Sequence, residues 1–134
     1  MPVRLILDTH ILLWWTAEDP AVTRAQSDAI EHALASSERL AVSAITFWEI
    51  AKLVERRKLH LPRSIDQLFD EFEGHPQLAI LPLSPRVSLE STRLGDHFHN
   101  DPADQIIVAT ARVHGLRLLT ADERIRKSGV VSVV

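Results

Sequence analysis

The stretch LILDTHILLWW, from Leu5 to Trp15, holds one charged residue, Asp8, within an otherwise apolar run. Burying an isolated carboxylate costs several kcal/mol unless the group is paired or bound to a metal ion. Asp8 therefore needs partners, and other short motifs offer further acids. These are Glu49 in ITFWEI, Asp101 and Asp104 in NDPADQIIVATA, and Asp122 in LLTADERI.

A cluster of such acids has a defined chemistry. The chain contains no cysteine, so its ligands for a metal would be oxygens, which suit a hard cation such as Mg²⁺ or Mn²⁺. Two such ions about 4 Å apart would activate water and stabilise the leaving oxygen of a phosphodiester. Without metal, repulsion among the acids would strain the site or protonate part of it. These residue types indicate metal-dependent phosphodiester chemistry.

The elements that must position these acids alternate between strands and helices. Continuous apolar runs predict strands at Arg4 to Leu7, within LAVSAIT, in LAILPL, in LRLLTAD and in VVSVV. Such runs, alternating with helical segments, are typical of a parallel sheet covered by helices on both faces. We therefore expect one α/β domain spanning residues 1–134, with about five strands.

The helical pattern places the acids at the ends of elements. Asp8 and Asp122 each follow a strand, and the carboxyl ends of parallel strands share one edge of a sheet. Pro102 suits the first position of a helix, which makes Asp101 its N-cap and Asp104 its third residue. Further helices are predicted from His10 to Trp15, Thr23 to Ser36, Ser64 to Phe72, Pro85 to about Leu94 and Ala103 to His114.

Each acid also has a structural interpretation, which the sequence leaves open. Asp8, Asp101 and Asp122 could serve only as helix N-caps, and Asp104 could be a capping-box acid. The joint placement of the acids, rather than any one of them, favours a metal site.

Glu49 has its own structural alternatives. A helix is predicted from Thr46 to about Arg57, which puts Glu49 at its capping-box position. The carboxylate could instead pair with Lys52 one turn later.

The charge balance argues against a generally basic nucleic-acid-binding surface. The chain has 134 residues, 46% apolar and 25% charged, with a net charge of -3. A local basic segment ends the Glu49 helix: Lys52, Arg56, Arg57 and Lys58 could form a phosphate track or a solvated helix end. The absence of cysteine and of a long apolar run leads us to expect a cytoplasmic protein without a membrane span.

The histidines of the loop GDHFHND and the aromatic residues are weaker candidates for a functional role. His97 and His99 could contact RNA or metal, although exposed loop histidines are usually incidental. Trp14, Trp15, Phe47 and Trp48 are expected mostly in the core, with one or two at a partner interface. Base stacking on them is not indicated by the sequence.

Together, LILDTHILLWW, DPADQIIVATA and LLTAD resemble the PIN domain, and closely the VapC-type toxins of bacterial toxin–antitoxin pairs. The resemblance spans Val3 to Val134. It implies a three-layer sandwich with a twisted, mostly parallel sheet between helices. It also implies magnesium-dependent endoribonuclease activity, a homodimer and inhibition by a cognate antitoxin.

Carried over by position, the resemblance implies roles for individual residues. The catalytic and metal-binding acids would be Asp8, Glu49, Asp104 and Asp122, with Asp101 as a further metal ligand. Thr9 and Thr120 would support them. One departure is Gln105, which stands where many relatives carry Arg and leaves any salt bridge there in doubt.

Two other function classes fit the sequence less well than a nuclease does. A catalytically inactive domain that binds RNA or a partner ranks lower because all the expected acids are present. An aspartyl phosphotransferase of the haloacid-dehalogenase type would need a second aspartate at position 10, where the chain has His. The chain also lacks a glycine-rich phosphate-binding motif.

Overall fold

The computed structural model describes residues 1–134 and contains one four-stranded sheet in which every pairing is parallel. The strand order is β3-β2-β1-β4, so β1 is central and pairs with both β2 and β4. The strands are β1 Val3–Leu7, β2 Arg39–Ser43, β3 Leu78–Leu81 and β4 Arg117–Leu119.

The prediction of a fifth strand in VVSVV is wrong. That segment follows Gly129, which has a left-handed conformation with φ 71° at the end of the last helix. Its backbone pairs with β4 in an isolated bridge between Leu118 and Val133, and Arg117 Nη2 also donates to the carbonyl of Val133. Because β4 is only 3 residues long, it offers no longer edge for pairing.

Seven helices connect and cover the strands. They are α1 Thr9–Thr16, α2 Arg24–Ala35, α3 Ala44–Glu55, α4 Ile65–Gly74, α5 Pro85–Glu90, α6 Pro102–His114 and α7 Glu123–Ser128. No helix combines the length and the apolar character needed to cross a membrane.

Alternate residues of each strand face opposite layers of helices, which confirms the three-layer α/β arrangement. In β1, Leu5 and Leu7 pack in one core with Ile50 of α3, and Ile6 packs in a second core with Ile107 of α6. Burial on both faces explains why the strands read as continuous apolar runs.

The start of α3 differs from the prediction. Ser43, not Thr46, is the N-cap, and its hydroxyl accepts a hydrogen bond from the amide of Ile45. Thr46 is fully buried one turn into the helix, with its hydroxyl 3.1 Å from that of Thr9. The capping-box role proposed for Glu49 is therefore wrong, and the side chain is left for other contacts.

Two helices begin with the same capping box but in different surroundings. In α2, Gln26 Oε1 accepts from the amide of Thr23, and in α4 Gln67 repeats this contact with Ser64. Gln26 is buried, and its Nε2 also donates to the carbonyl of Thr120 at 3.0 Å. Gln26 thus ties α2 to the segment that follows β4.

This difference predicts unequal effects of one substitution at two sites. Gln26→Glu keeps the capping oxygen but turns a carboxylate oxygen towards the carbonyl of Thr120, so it should lower the free energy of unfolding by about 2–4 kcal/mol. Gln67→Glu, at the same capping position on the surface, should change it by less than about 0.5 kcal/mol. Urea unfolding of both variants measures this, and equal effects would contradict the buried contact.

Candidate metal centre

The five predicted acids line one cleft at the edge of the sheet where β1 and β4 end. The cleft has a volume of about 370 Å³. Its walls are Asp8, His10, Trp14, Glu49, Asp101, Asp104, Ala121, Asp122 and Arg124. Acids that are up to 114 positions apart in the sequence therefore share one solvent-accessible space.

Asp8 lies deepest, because it directly follows the central strand. Its backbone amide donates to the carbonyl of Leu119 at 2.9 Å, which fixes it beside the end of β4. The carboxylate accepts hydrogen bonds from the Thr9 amide at 2.8 Å and from the Thr120 hydroxyl at 2.6 Å. These donors lower the pKa of Asp8, but burial is the larger effect and raises it.

The start of α6 supplies two acids with different surroundings. Asp101 is the N-cap, and its Oδ1 accepts from the amides of Ala103 and Asp104. Asp104 is buried, and its Oδ2 lies 2.7 Å from His99 Nε2. The capping-box alternative for Asp104 fails, since its carboxylate contacts His99 rather than the N-cap amide.

His99 is held in place from three sides. Its ring stacks on the buried Phe98 ring with centroids 4.5 Å apart, and its carbonyl accepts from Gln105 Nε2 at 3.1 Å. Gln105 thus anchors the loop that brings His99 to Asp104. The sequence predicts exposed histidines in this loop, which is correct for His97 and wrong for His99, whose side chain is only 15% exposed.

Asp122 occupies the outer wall of the cleft. It is the N-cap of α7, with Oδ1 accepting from the amides of Arg124 and Ile125. Arg124 Nη2 lies 2.8 Å from Asp122 Oδ2 and 3.7 Å from Asp104 Oδ2. The hydrogen bond from Arg124 lowers the pKa of Asp122. No sequence signal points to Arg124, because its contact with Asp104 joins α7 to α6 and depends on the folded structure.

The donor atoms fall into two overlapping groups. Glu49, Asp101 and Asp104 offer oxygens within 4.8 Å of one another, and His99, Asp104 and Asp122 form a second such group. Glu49 Oε1 is buried without any hydrogen-bond partner. Because a buried acceptor without a donor is costly, a cation would satisfy it. These residues therefore fit a divalent metal ion.

Burial and mutual repulsion raise the pKa of two acids that share the cleft with Asp8. Burial raises the pKa of Glu49, and the charges of Asp8, Asp104 and Asp101 raise it further. Burial likewise raises the pKa of Asp104 from 3.8 to about 6, with additional repulsion from Asp8, Asp101 and Asp122. A bound dication would reverse this cost by neutralising the carboxylates.

The supporting and basic residues divide into those near the cleft and those away from it. Thr120 Oγ1 donates to Asp8 and accepts from the amide of Asp122, and Thr9 contacts both Asp8 and Thr46. Of the basic segment, Lys52 and Arg56 line a groove that also includes Glu49 and Asp101. Lys52 pairs with Glu55 rather than Glu49, and Arg57 and Lys58 follow the end of α3 outside that groove.

Comparison with known proteins identifies the family of the chain. The profile of the PIN domain matches residues 5–130, and the chain belongs to this family. It is 37% identical over 122 residues to Ribonuclease VapC22 of Mycobacterium tuberculosis, covering 91% of this chain and 89% of that protein. The predicted family resemblance is thereby confirmed.

Solved structures share the fold at lower identity. VapBC2 from Rickettsia felis, bound to a DNA fragment from its promoter, superposes with a TM-score of 0.73 at 17% identity, covering 98% of this chain and 97% of that one. A toxin–antitoxin complex from Klebsiella pneumoniae gives a TM-score of 0.64 at 24% identity, covering 97% and 95%. At these identities the likeness shows the fold.

The raised pKa of Asp104 predicts a pH-dependent stability in metal-free protein. Its pKa is 3.8 when unperturbed and about 6 in the fold, so the folded state holds a proton that the unfolded chain has released. The free energy of unfolding should therefore fall as the pH rises from about 4 to about 7, with about 3 kcal/mol due to Asp104. Asp104→Asn should remove that part of the decline, as measured by urea unfolding across this range.

A matched control is Asp28→Asn, which changes an exposed aspartate on α2. This variant should keep the full decline. Added Mg²⁺ should flatten the wild-type curve, because it stabilises the ionised carboxylates. A pH profile identical in wild type and Asp104→Asn would contradict the raised pKa.

The contacts of Arg124 with Asp122 and Asp104 predict that this residue weakens metal binding. Its guanidinium occupies carboxylate oxygens of Asp122 and Asp104 that a cation would otherwise use. Arg124→Ala should therefore bind Mn²⁺ severalfold more tightly in calorimetric titrations. Arg86→Ala, which removes an exposed charge on α5, should leave the affinity unchanged. Weaker binding by Arg124→Ala would mean that Arg124 organises the ligands instead of competing with a metal.

Proposed function

We propose that this chain is a magnesium-dependent endoribonuclease and the toxin of a toxin–antitoxin pair. One observation carries the proposal: a PIN-family chain folds so that Asp8, Glu49, Asp104 and Asp122 line a single cleft. The relative named Ribonuclease VapC22 supports RNA as the substrate class. The oxygen-rich ligand set favours Mg²⁺, with Mn²⁺ as an alternative.

Each acid of the cleft has an assigned role in phosphodiester hydrolysis. The ion would be held by the carboxylates of Glu49, Asp101, Asp104 and Asp122. Asp8, at the floor of the cleft, would be a further ligand. When bound, the ion supplies an activated water and neutralises charge at the scissile phosphate. The catalytic acids that we assign are Asp8, Glu49, Asp104 and Asp122, whereas Asp101 is assigned only to the metal.

Second-layer contacts hold these acids in position. Thr120 fixes Asp8 and the amide of Asp122, while His99 fixes Asp104. Such partners orient ligands before a metal arrives. No serine or cysteine lines the cleft. We therefore assign water as the nucleophile.

Partners follow from the same proposal. The structural neighbours include a toxin–antitoxin complex, which supports a cognate antitoxin for this chain. We also expect a homodimer, as the resemblance implies. A chain without cysteine is compatible with the reducing cytoplasm, where we expect it to act.

Cleavage of total cellular RNA by antitoxin-free protein tests the proposal. Wild type with Mg²⁺ should give discrete fragments, and EDTA should abolish them. Asp8→Asn, Glu49→Gln, Asp104→Asn and Asp122→Asn should each reduce the rate by about 100-fold or more, because each weakens metal binding. Circular dichroism and thermal unfolding verify that the variants are folded. Metal-independent fragments, or undiminished cleavage by Asp8→Asn, would refute the proposal.

Asp101→Asn separates a metal ligand from a cap in the same assay. Asn caps helices about as well as Asp, so a residue that only caps would retain most activity. A loss as large as that of Asp104→Asn would assign Asp101 to the metal. Folded wild-type protein that binds RNA without cleaving it, with Mg²⁺ or Mn²⁺, would instead support a non-catalytic binding domain.

A further inference from the structure

α3 and its C-cap carry a surface stripe of three side chains that the metal site does not use. Trp48, Lys52 and Arg56 recur every fourth residue, so they lie on one face and span about 12 Å along the axis. Trp48 is 51% exposed, whereas Thr46 and Ile50 are fully buried. The sequence predicts most of the aromatic residues in the core; Trp14 and Trp15 are partly buried against it, whereas Trp48 is exposed.

The stripe forms one wall of a groove of about 420 Å³. The opposite wall is the start of α6, at Pro102 and Ala103. Glu49 and Asp101 line both this groove and the acidic cleft. A chain molecule lying in the cleft can therefore continue directly into the groove.

The side chains of the stripe combine an aromatic face with two cations. Lys52 Nζ lies 6.0 Å from the centroid of the Trp48 ring. Lys52 also pairs with Glu55 at 3.0 Å, but the two side chains are 36% and 66% exposed, so water screens this surface pair and it exchanges readily. Arg56 is exposed and forms no ion pair within 4.0 Å. An aromatic face flanked by cations is the usual surface for single-stranded nucleic acid.

The charge of the neighbouring cleft makes such cations necessary. Five carboxylates repel a polyanion, and a metal ion compensates only near the scissile phosphate. Phosphates on either side need their own positive charges, and Lys52 and Arg56 supply them on the side of α3.

We propose that this groove is a nucleotide subsite, in which Trp48 stacks on a base of single-stranded RNA beside the scissile phosphate while Lys52 and Arg56 contact its phosphates. The inference rests on the proposed nuclease function, which it extends to a part of the substrate. Every base has a face that can stack on an aromatic ring, so the subsite contributes affinity rather than base selection.

Equilibrium binding tests the subsite separately from cleavage. Fluorescence anisotropy of a labelled, mixed-sequence RNA decamer is measured in the Asp8→Asn background with Mg²⁺, so that the probe stays intact. Adding Trp48→Ala should raise Kd about tenfold, and Trp48→Phe, which retains an aromatic face, should restore most of the affinity. Arg56→Gln should lower the slope of log Kd against log salt by about 0.7, whereas Arg86→Gln should leave it unchanged.

Each contrary outcome has a distinct meaning. Equal Kd values for Trp48→Ala and Trp48→Phe, or no RNA binding at all, would overturn the subsite. Light scattering gives the oligomeric state in parallel, and a Trp48→Ala variant that loses only self-association would assign the residue to a protein contact and also overturn it. If wild-type protein does not cleave total cellular RNA with Mg²⁺ or Mn²⁺ but binding still depends on Trp48, the nuclease is refuted and the groove is retained as a site for single-stranded RNA.

Discussion

A buried carboxylate at the end of the central strand is the constraint around which the site is built. β1 pairs on both sides, so the residue that follows it, Asp8, is surrounded by protein and only 6% exposed. Burial removes its charge from water and raises its pKa. Hydrogen bonds from Thr9 and Thr120 lower the pKa by less, so it remains raised. The acids that gather beside it increase that cost, which makes a dication the natural complement of the cleft.

The choice between helix cap and metal ligand, which the sequence left open, is not exclusive in this fold. Asp8, Asp101 and Asp122 each precede a helix and use Oδ1 to accept from backbone amides. The caps fix the side-chain orientation and leave the second oxygen for another partner. In Asp122 that partner is Arg124, and in Asp8 it is Thr120. Capping thus orients the carboxylates of these acids at no further cost in side-chain entropy.

The sequence predicted features that depend on local patterns. Continuous apolar strands gave the parallel sheet, and Pro102 correctly located the start of α6. The errors arose where two local signals competed or where contacts are distant in sequence. Ser43 and Thr46 are both good caps, and only the burial of Thr46 against Thr9 decides between them. The roles of His99 and Arg124 depend on tertiary contacts that no periodicity reveals, while the functions of the acids stay predictions.

A net charge of -3 is compatible with a polyanionic substrate because the charges are segregated. Five acids are concentrated in one cleft, and over the remainder of the chain Lys and Arg outnumber Asp and Glu. The rest of the surface is therefore not generally repulsive, and α3 places Lys52 and Arg56 beside the cleft. With a dication bound, the cleft itself loses much of its negative field. Overall charge alone argues against an RNA substrate, whereas the distribution of the charges in the fold is compatible with one.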